Sequence, residues 1–286
     1  MEVLEAVAET QKRCEQFRLA GQTIALVPTM GFFHEAHLEL MRVAKRHADT
    51  AVISLFVNPM QFRPEEDFRD YPRDLEGDLG KARAVGVDLA FVPSPEEMYP
   101  PGFQAKVDIP RLSQHLCGKS RPGHFQGVAT VVLKLFNIVR PHLAIFGQKD
   151  YQQLAVISRM VRDLNLDLHI VGVPTIRDSD GLAMSSRNAY LSRDERASAR
   201  SLKNALDLAR DMVGQGERDT ERIKERIATF IHDHPLTEVE YIALCDPVTL
   251  EDFETIEGET LLALAVKIGK ARLIDNCIIC DPAKDC

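Results

Sequence analysis

The sequence predicts an α/β protein in which a parallel sheet wrapped by helices is followed by a smaller α+β domain with antiparallel strands. Three observations predict it. Through roughly the first 170 residues, short apolar runs alternate with amphipathic stretches, the pattern of buried parallel strands joined by helices. Beyond Pro174, two long helical segments precede three strand-like runs, an order that suits helices packed on an antiparallel sheet. The chain has 286 residues, 45% of them hydrophobic and 27% charged. At about 150 residues per domain that suits two domains or one large one, and it excludes disordered and fibrous classes. The domain boundary is expected near residue 175, giving domains 1–175 and 176–286.

Taken in order, Val3, Leu4, Val7, Cys14 and Phe17 recur at helical spacing before Gly21, which predicts a helix over Val3–Leu19 ahead of the first strand. Thr23–Val27, Ala51–Val57, Leu89–Val92 and Leu143–Phe146 read as buried strands. Between them Leu38, Met41 and Ala44 mark one face of an amphipathic helix. In the second domain, helices are expected at Arg193–Val213 and Asp219–His232. Strands follow at Val239–Cys245, Thr260–Ile268 and Ala271–Cys280.

No apolar run of about 18 residues appears, and the first twenty residues carry charges throughout, so neither a membrane span nor a secretion signal is expected. A cytoplasmic location follows. The net charge of −8 has the wrong sign for a broad nucleic-acid surface. From Gly118 to Arg200, however, twelve Lys or Arg face seven Asp or Glu, so a compact anion could be bound there, although ordinary scatter would look the same. Cys14, Cys117, Cys245, Cys277, Cys280 and Cys286 are expected as reduced thiols. Cys277 and Cys280 form one C-x-x-C, a weak zinc signal without a second pair. The isoleucines between them suggest a strand with cysteines in the core.

Three segments carry chemistry. The first strand runs into Pro28-Thr29-Met30-Gly31-Phe32-Phe33-His34-Glu35-Ala36-His37, which places two histidines at a helix N-terminus. Unpaired N–H groups and the positive end of the helix dipole favour phosphate there; buried structural histidines and a metal pair remain alternatives. Phe146-Gly147-Gln148-Lys149-Asp150-Tyr151-Gln152-Gln153 is a second strand-to-helix junction. Its glycine permits close approach, its lysine offers a point charge, and its aspartate can accept from ribose or cap a helix. Asp180-Gly181-Leu182-Ala183-Met184-Ser185-Ser186-Arg187-Asn188 sets two hydroxyls and a guanidinium beside a glycine. Such a segment suits either a phosphate-gripping loop or a polar turn.

Together with Ser54–Phe62, Asp70–Arg73, Glu97–Pro100 and Leu116–Val132, these segments are similar to the pantothenate synthetase family of pantoate:beta-alanine ligases. That family is related to class I aminoacyl-tRNA synthetases and nucleotidyltransferases. The resemblance covers nearly all of the first domain and weakens after about residue 195. It implies a Rossmann-like ATP- and pantoate-binding domain and a C-terminal lid domain. The implied reaction forms pantoyl adenylate from ATP and pantoate, then passes the pantoyl group to beta-alanine, releasing AMP and pyrophosphate. It implies that Met30, Gly31, His34, His37, Gly147, Lys149, Asp150, Ile176, Met184, Ser185, Ser186 and Arg187 contact ATP. Of these, His37, the assigned proton donor, His34, Lys149, Ser185, Ser186 and Arg187 act on the phosphates.

Gln61 and Gln153 match the amides that hold pantoate. Asn58, Tyr71, Arg121 and His124 lie in matching motifs and are candidates either for ligand contact or for turns and surface charge. Phe56, Val131, Val132 and Leu135 read as core, with a pocket wall for pantoate's methyl groups as the alternative for one or two of them. Mg2+ is expected with ATP, held chiefly by the phosphates, with no protein ligand named. A homodimer is also implied.

One departure stands out. The family usually has glycine where this chain has Ala36, and a methyl group there would press on the nucleotide. It keeps open a nucleotide-binding homologue with little catalytic activity. A nucleotidyltransferase on another small acid would explain the phosphate segments but not Gln61 and Gln153.

Overall fold

A computed structural model describes residues 1–64 and 68–280. Their contacts divide them into two compact units. The first comprises the described residues of Met1–Ser113, with Arg121–Gln148 and Val156–Pro174; the second comprises Gln114–Ser120, Lys149–Ala155 and the described residues from Thr175 on.

In chain order the elements up to Pro174 are β1 (Glu2–Leu4), α1 (Val7–Leu19), β2 (Ile24–Thr29), α2 (Glu35–His47), β3 (Thr50–Leu55), α3 (Leu75–Val85) and β4 (Leu89–Phe91). Then come α4 (Pro95–Met98), α5 (Pro110–Ser113), α6 (Leu116–Ser120), α7 (His124–Val139), β5 (Leu143–Gly147), α8 (Tyr151–Asp163) and β6 (His169–Val173). The six strands form one sheet in the order β1-β4-β3-β2-β5-β6, parallel at every pairing. Ile24, Ala25, Leu26 and Val27 of β2 are wholly buried, as a central strand covered on both faces requires. From β2 the chain adds strands in one direction through β3 and β4, then crosses back to add β5 and β6. The reversal lies between β2 and β5, and in such sheets ligands collect beyond the carboxyl ends of the flanking strands.

In this sheet two expectations are corrected. Val3 and Leu4 are not helical. They pair with Ala90 and Phe91 at the sheet edge, and α1 begins only at Val7, because tertiary pairing overrides a helical spacing that two residues alone cannot enforce. His169–Val173, absent from the expected strands, is an edge strand with only Val173 buried. Its histidine and glycine break the apolar run by which buried strands are recognised.

The second unit continues with α9 (Arg193–Ala199), α10 (Ser201–Gly214), α11 (Thr220–His232), β7 (Thr237–Cys245), β8 (Thr260–Ile268) and β9 (Ala271–Ile279). The single helix expected over Arg193–Val213 is therefore two, meeting at Arg200. The strands form an antiparallel sheet in the order β7-β8-β9. Leu202 and Leu206 of α10 and Ile223 and Ile227 of α11 join Leu262, Leu264 and Val266 of β8 in its core.

Cys14, Cys117, Cys245 and Cys277 are buried free thiols, whereas Cys280 is exposed. The expectation that both cysteines of the C-x-x-C sit in the core is corrected: Cys277 is buried in β9, but the strand ends at Ile279 and Cys280 just beyond it is exposed. Burial pushes Cys14 and Cys245 up to about 12 and Cys277 to about 11, leaving them protonated and unreactive at neutral pH. Cys286 lies outside the described residues. Among the described residues no helix is long and apolar enough to cross a membrane.

Candidate active site

The turn after β2 carries Met30, Gly31, His34 and His37, and its shape is imposed by α3. Gly31 (φ 90°) and Phe32 (φ 55°) lie consecutively in the left-handed region. This turns the Phe32 and Phe33 N–H groups toward Asp78, whose two carboxylate oxygens accept them at 2.6 Å each. A Cβ on Gly31 would lie 3.0 Å from Asp78 Oδ2, so both conformation and space favour glycine. Lys81, one turn further along α3, donates to the Phe33 carbonyl at 2.9 Å. Burial holds the Asp78 carboxyl above its ordinary range, against the lowering by those two N–H bonds and by Lys81. Neither Asp78 nor Lys81 was among the expected functional residues: each is one polar residue on a helix, and its partner lies more than forty positions away.

So held, the turn delivers His34 to the N-cap of α2 and His37 to the third helical position. His37 Nδ1 accepts the His34 backbone N–H at 3.3 Å, which leaves the proton of a neutral His37 ring on Nε2. The two rings tilt against each other with centroids 4.1 Å apart. A proton-bearing imidazole therefore stands at a helix N-terminus, where anions are favoured. Among the described residues no group of three or more His, Cys, Asp or Glu could hold a metal ion.

Beyond β3, Gln61 closes the short helical turn Pro59–Gln61. Its side chain is fixed by Asn58, whose Nδ2 donates to Gln61 Oε1 at 3.0 Å and to the Gly127 carbonyl at 3.1 Å. Asn58 Oδ1 accepts from the Tyr99 hydroxyl at 2.7 Å. Gln61 Nε2 reaches Met30 Sδ at 3.2 Å, so two residues thirty-one apart in sequence come together. The Gln61 carbonyl accepts from His124 Nδ1 at 2.8 Å and from Arg121 at 3.4 Å. Because Arg121 also reaches His124 Nε2 at 3.0 Å and arginine only donates, the His124 proton sits on Nδ1.

Asn58, Arg121 and His124 thus brace Gln61 through these bonds. α7 can lie against this turn because position 127 is glycine: a Cβ there would be 2.3 Å from the Met60 carbonyl. Tyr71 is buried edge-on to Phe62, and Phe56, Val131, Val132 and Leu135 are core.

Gly147 ends β5, the strand across the reversal from β2. Lys149 and Asp150 form the one-turn segment leading into α8, and Gln153 lies in the first turn of that helix. In the second unit, Ile176 and Met184 are joined by a backbone bond, Met184 N to Ile176 O, at 3.0 Å. They lie beside the antiparallel bridge between Arg177 and Ala183, in a small hairpin. The hairpin delivers Ser185 to the N-cap of the turn Ser186–Tyr190, where its Oγ accepts the Arg187 N–H at 3.3 Å. Arg177 and Arg196 anchor the hairpin through Asp275, Asp178 and Asp180. Of the expected residues, Met30, Gly31, His34, His37, Gln61 and Gly147 fall in the first unit. Lys149, Asp150, Gln153, Ile176, Met184, Ser185, Ser186 and Arg187 fall in the second.

Comparison with known proteins gives this geometry a context. A family model described as pantoate-beta-alanine ligase matches residues 2–278. The pantothenate synthetase of Geobacter sulfurreducens is 53% identical over 279 residues, spanning 98% of this chain and 99% of its own length. That of Syntrophus aciditrophicus is 52% identical over 276 residues, 96% of each chain. The crystal structure of pantothenate synthetase from Thermus thermophilus superposes with a TM-score of 0.92 at 44% identity, covering 97% of this chain and 99% of that one. A pantoate-beta-alanine ligase structure from Francisella tularensis, complexed with beta-gamma ATP and beta-alanine, superposes at 0.80 with 32% identity and 97% coverage of each.

Proposed function

The chain belongs to the pantoate-beta-alanine ligase family, and on that premise we propose that it joins pantoate to beta-alanine at the expense of ATP, releasing AMP and pyrophosphate. The observation that carries the reading within this chain is the turn after β2. There a helix N-terminus and a left-handed backbone pair stand beside His37, whose Nδ1 is engaged by the His34 N–H, an arrangement that suits a phosphate.

In the proposed first step the pantoate carboxylate attacks the α-phosphorus of ATP, the bond to pyrophosphate breaks, and pantoyl adenylate forms. In the second, the amine of beta-alanine attacks the acyl carbon. AMP leaves with its bonding electrons, and the amine loses a proton. Both steps gather negative charge, so orientation and fixed positive charge should dominate over a protein nucleophile.

His37 Nε2 is assigned the proton donated toward the developing phosphate charge, with His34 beside it. Lys149, Ser185, Ser186 and Arg187 are assigned to the phosphates, Asp150 to the ribose, and Ile176 and Met184 to the adenine. Met30, Gly31 and Gly147 are assigned to backbone approach. Gln61 and Gln153 are assigned to pantoate. An amide already fixed by Asn58 rejects analogues that lack the matching polar group, because its own bonds would be left unmade. Mg2+ is assigned to the phosphates of ATP, which supply the oxygens this hard cation prefers. Residues 1–175 are assigned to ATP and pantoate binding, and 176–286 to the domain bearing the Ser185–Arg187 turn. A cytoplasmic homodimer completes the proposal, to be checked by light scattering of the purified protein.

The deciding assay mixes protein, ATP, Mg2+, pantoate and beta-alanine and follows AMP, pyrophosphate and pantothenate. All three accumulating together supports the ligase. Pyrophosphate without AMP would identify a nucleotidyltransferase, and no product a binding protein.

Ala36 favours a specific modulation. It is the second residue of α2, between His34 and His37, and where ATP lies against this helix turn, as proposed, its methyl group would crowd the nucleotide. Ala36→Gly is expected to lower the KM for ATP several-fold. It should cost up to about 1 kcal/mol of stability through lost helix propensity. Identical KM values in the two forms would show that the methyl is accommodated.

A further inference from the structure

Along β9, buried and half-buried residues alternate from Ala271 to Ile279. One face carries Ala271, Leu273, Cys277 and Ile279 into the core beneath α10 and α11. Asp275 lies on that same face and is 2% exposed. A carboxylate there is tolerated only with a matched cation, which Arg177 supplies through both arms: Nη1 to Oδ2 at 2.6 Å and Nη2 to Oδ1 at 2.9 Å. The same Nη1 donates to the Gly181 carbonyl at 3.1 Å, closing the hairpin that leads to Ser185, Ser186 and Arg187. The next residue, Asn276, faces the other way, and its Nδ2 donates to the carbonyl of Lys149 at 2.8 Å. Nine consecutive pairings with β8 hold both residues in register.

We propose that Asp275 and Asn276 are positioning residues for adenylate formation: from opposite faces of one strand they fix the Lys149 segment and the hairpin that leads to Ser185–Arg187 relative to each other. The proposal rests on reading those two segments as the phosphate contacts of ATP. Stability alone does not account for the arrangement, since a buried ion pair is commonly no better than apolar residues of similar volume. The Asn276 bond is made to the Lys149 main chain and leaves the lysine ammonium available to a ligand.

The test separates the two half-reactions. Asn276→Ala and Asp275→Asn are compared with the unaltered protein in two assays: adenylate formation from ATP and pantoate, followed as pyrophosphate release, and pantothenate formation from chemically prepared pantoyl adenylate and beta-alanine. The second assay needs no grip on a triphosphate. Asn276→Ala is expected to slow the first reaction or raise its KM for ATP at least tenfold, and to leave the second within twofold. Asn276→Gln, which can still donate, should recover part of the loss. Equal losses in both assays, or none in either, overturn the proposal. If Asp275→Asn does not fold, the half-buried Asn276 series decides by itself. An unaltered protein that forms no pantothenate from either starting point would instead refute the ligase reading and this proposal with it.

Discussion

His37→Ala is expected to lower kcat for pantothenate formation by about 10²- to 10⁴-fold, the usual contribution of a positioned acid or base. Nδ1 of this ring is already engaged by the His34 N–H at 3.3 Å, so Nε2 is the atom with a proton to give, and it stands where the α2 dipole favours negative charge. If the proton matters only as charge develops, kcat and kcat/KM fall together while the KM for ATP changes little. His37→Gln is the informative companion. It can offer a hydrogen bond from a similar place but cannot transfer a proton, so its kcat should stay close to that of His37→Ala, with the KM for ATP again little changed. Steady-state AMP release, with circular dichroism to confirm folding, reads both variants. A His37→Ala protein that turns over like the unaltered one would remove His37 from the chemistry.

The parallel sheet was legible because strands covered on both faces must be continuously apolar, as Ile24–Val27 and Ala51–Ile53 are. Strands at its edges carry no such mark. β1 is three residues long and β6 contains His169 and Gly172, so pairing partners decide their conformation. The sequence proposes site residues where polar and charged groups concentrate in short segments, as at His34 and His37. What holds those segments was not legible. Asp78 acts on a turn 45 residues away, Asn276 on a carbonyl 127 residues away, and Asp275 on an arginine 98 residues away. Each reads locally as an ordinary polar residue, and only the folded chain supplies its partner. Asn58 lay between the two cases: the Asn-Pro pair signals a turn, which it caps, but its hold on Gln61 and Gly127 depends on α7 packing beside it.

Asp78→Ala is expected to destabilise the protein by about 2–4 kcal/mol and to raise the KM for ATP, because it leaves the Phe32 and Phe33 N–H groups without their acceptor. A buried donor left unmade costs about 1–3 kcal/mol, and these two N–H groups belong to a turn whose Gly31 and Phe32 lie in the left-handed region. Asp78→Asn keeps one acceptor oxygen and should lose about half as much. The two proteins should also differ in pH response. Burial raises the Asp78 pKa in the folded chain above its unfolded value, so the native state binds this proton more readily than the unfolded chain does. The contribution of Asp78 to stability is then fully present below the unfolded pKa and declines as pH rises through the folded one. The advantage of the unaltered protein over Asp78→Asn should therefore be larger near pH 4 than at pH 7. Urea unfolding at the two pH values measures it. A gap that shrinks on acidification would mean that the carboxylate is stabilised by its N–H donors more than burial penalises it, and would reverse the assigned sign.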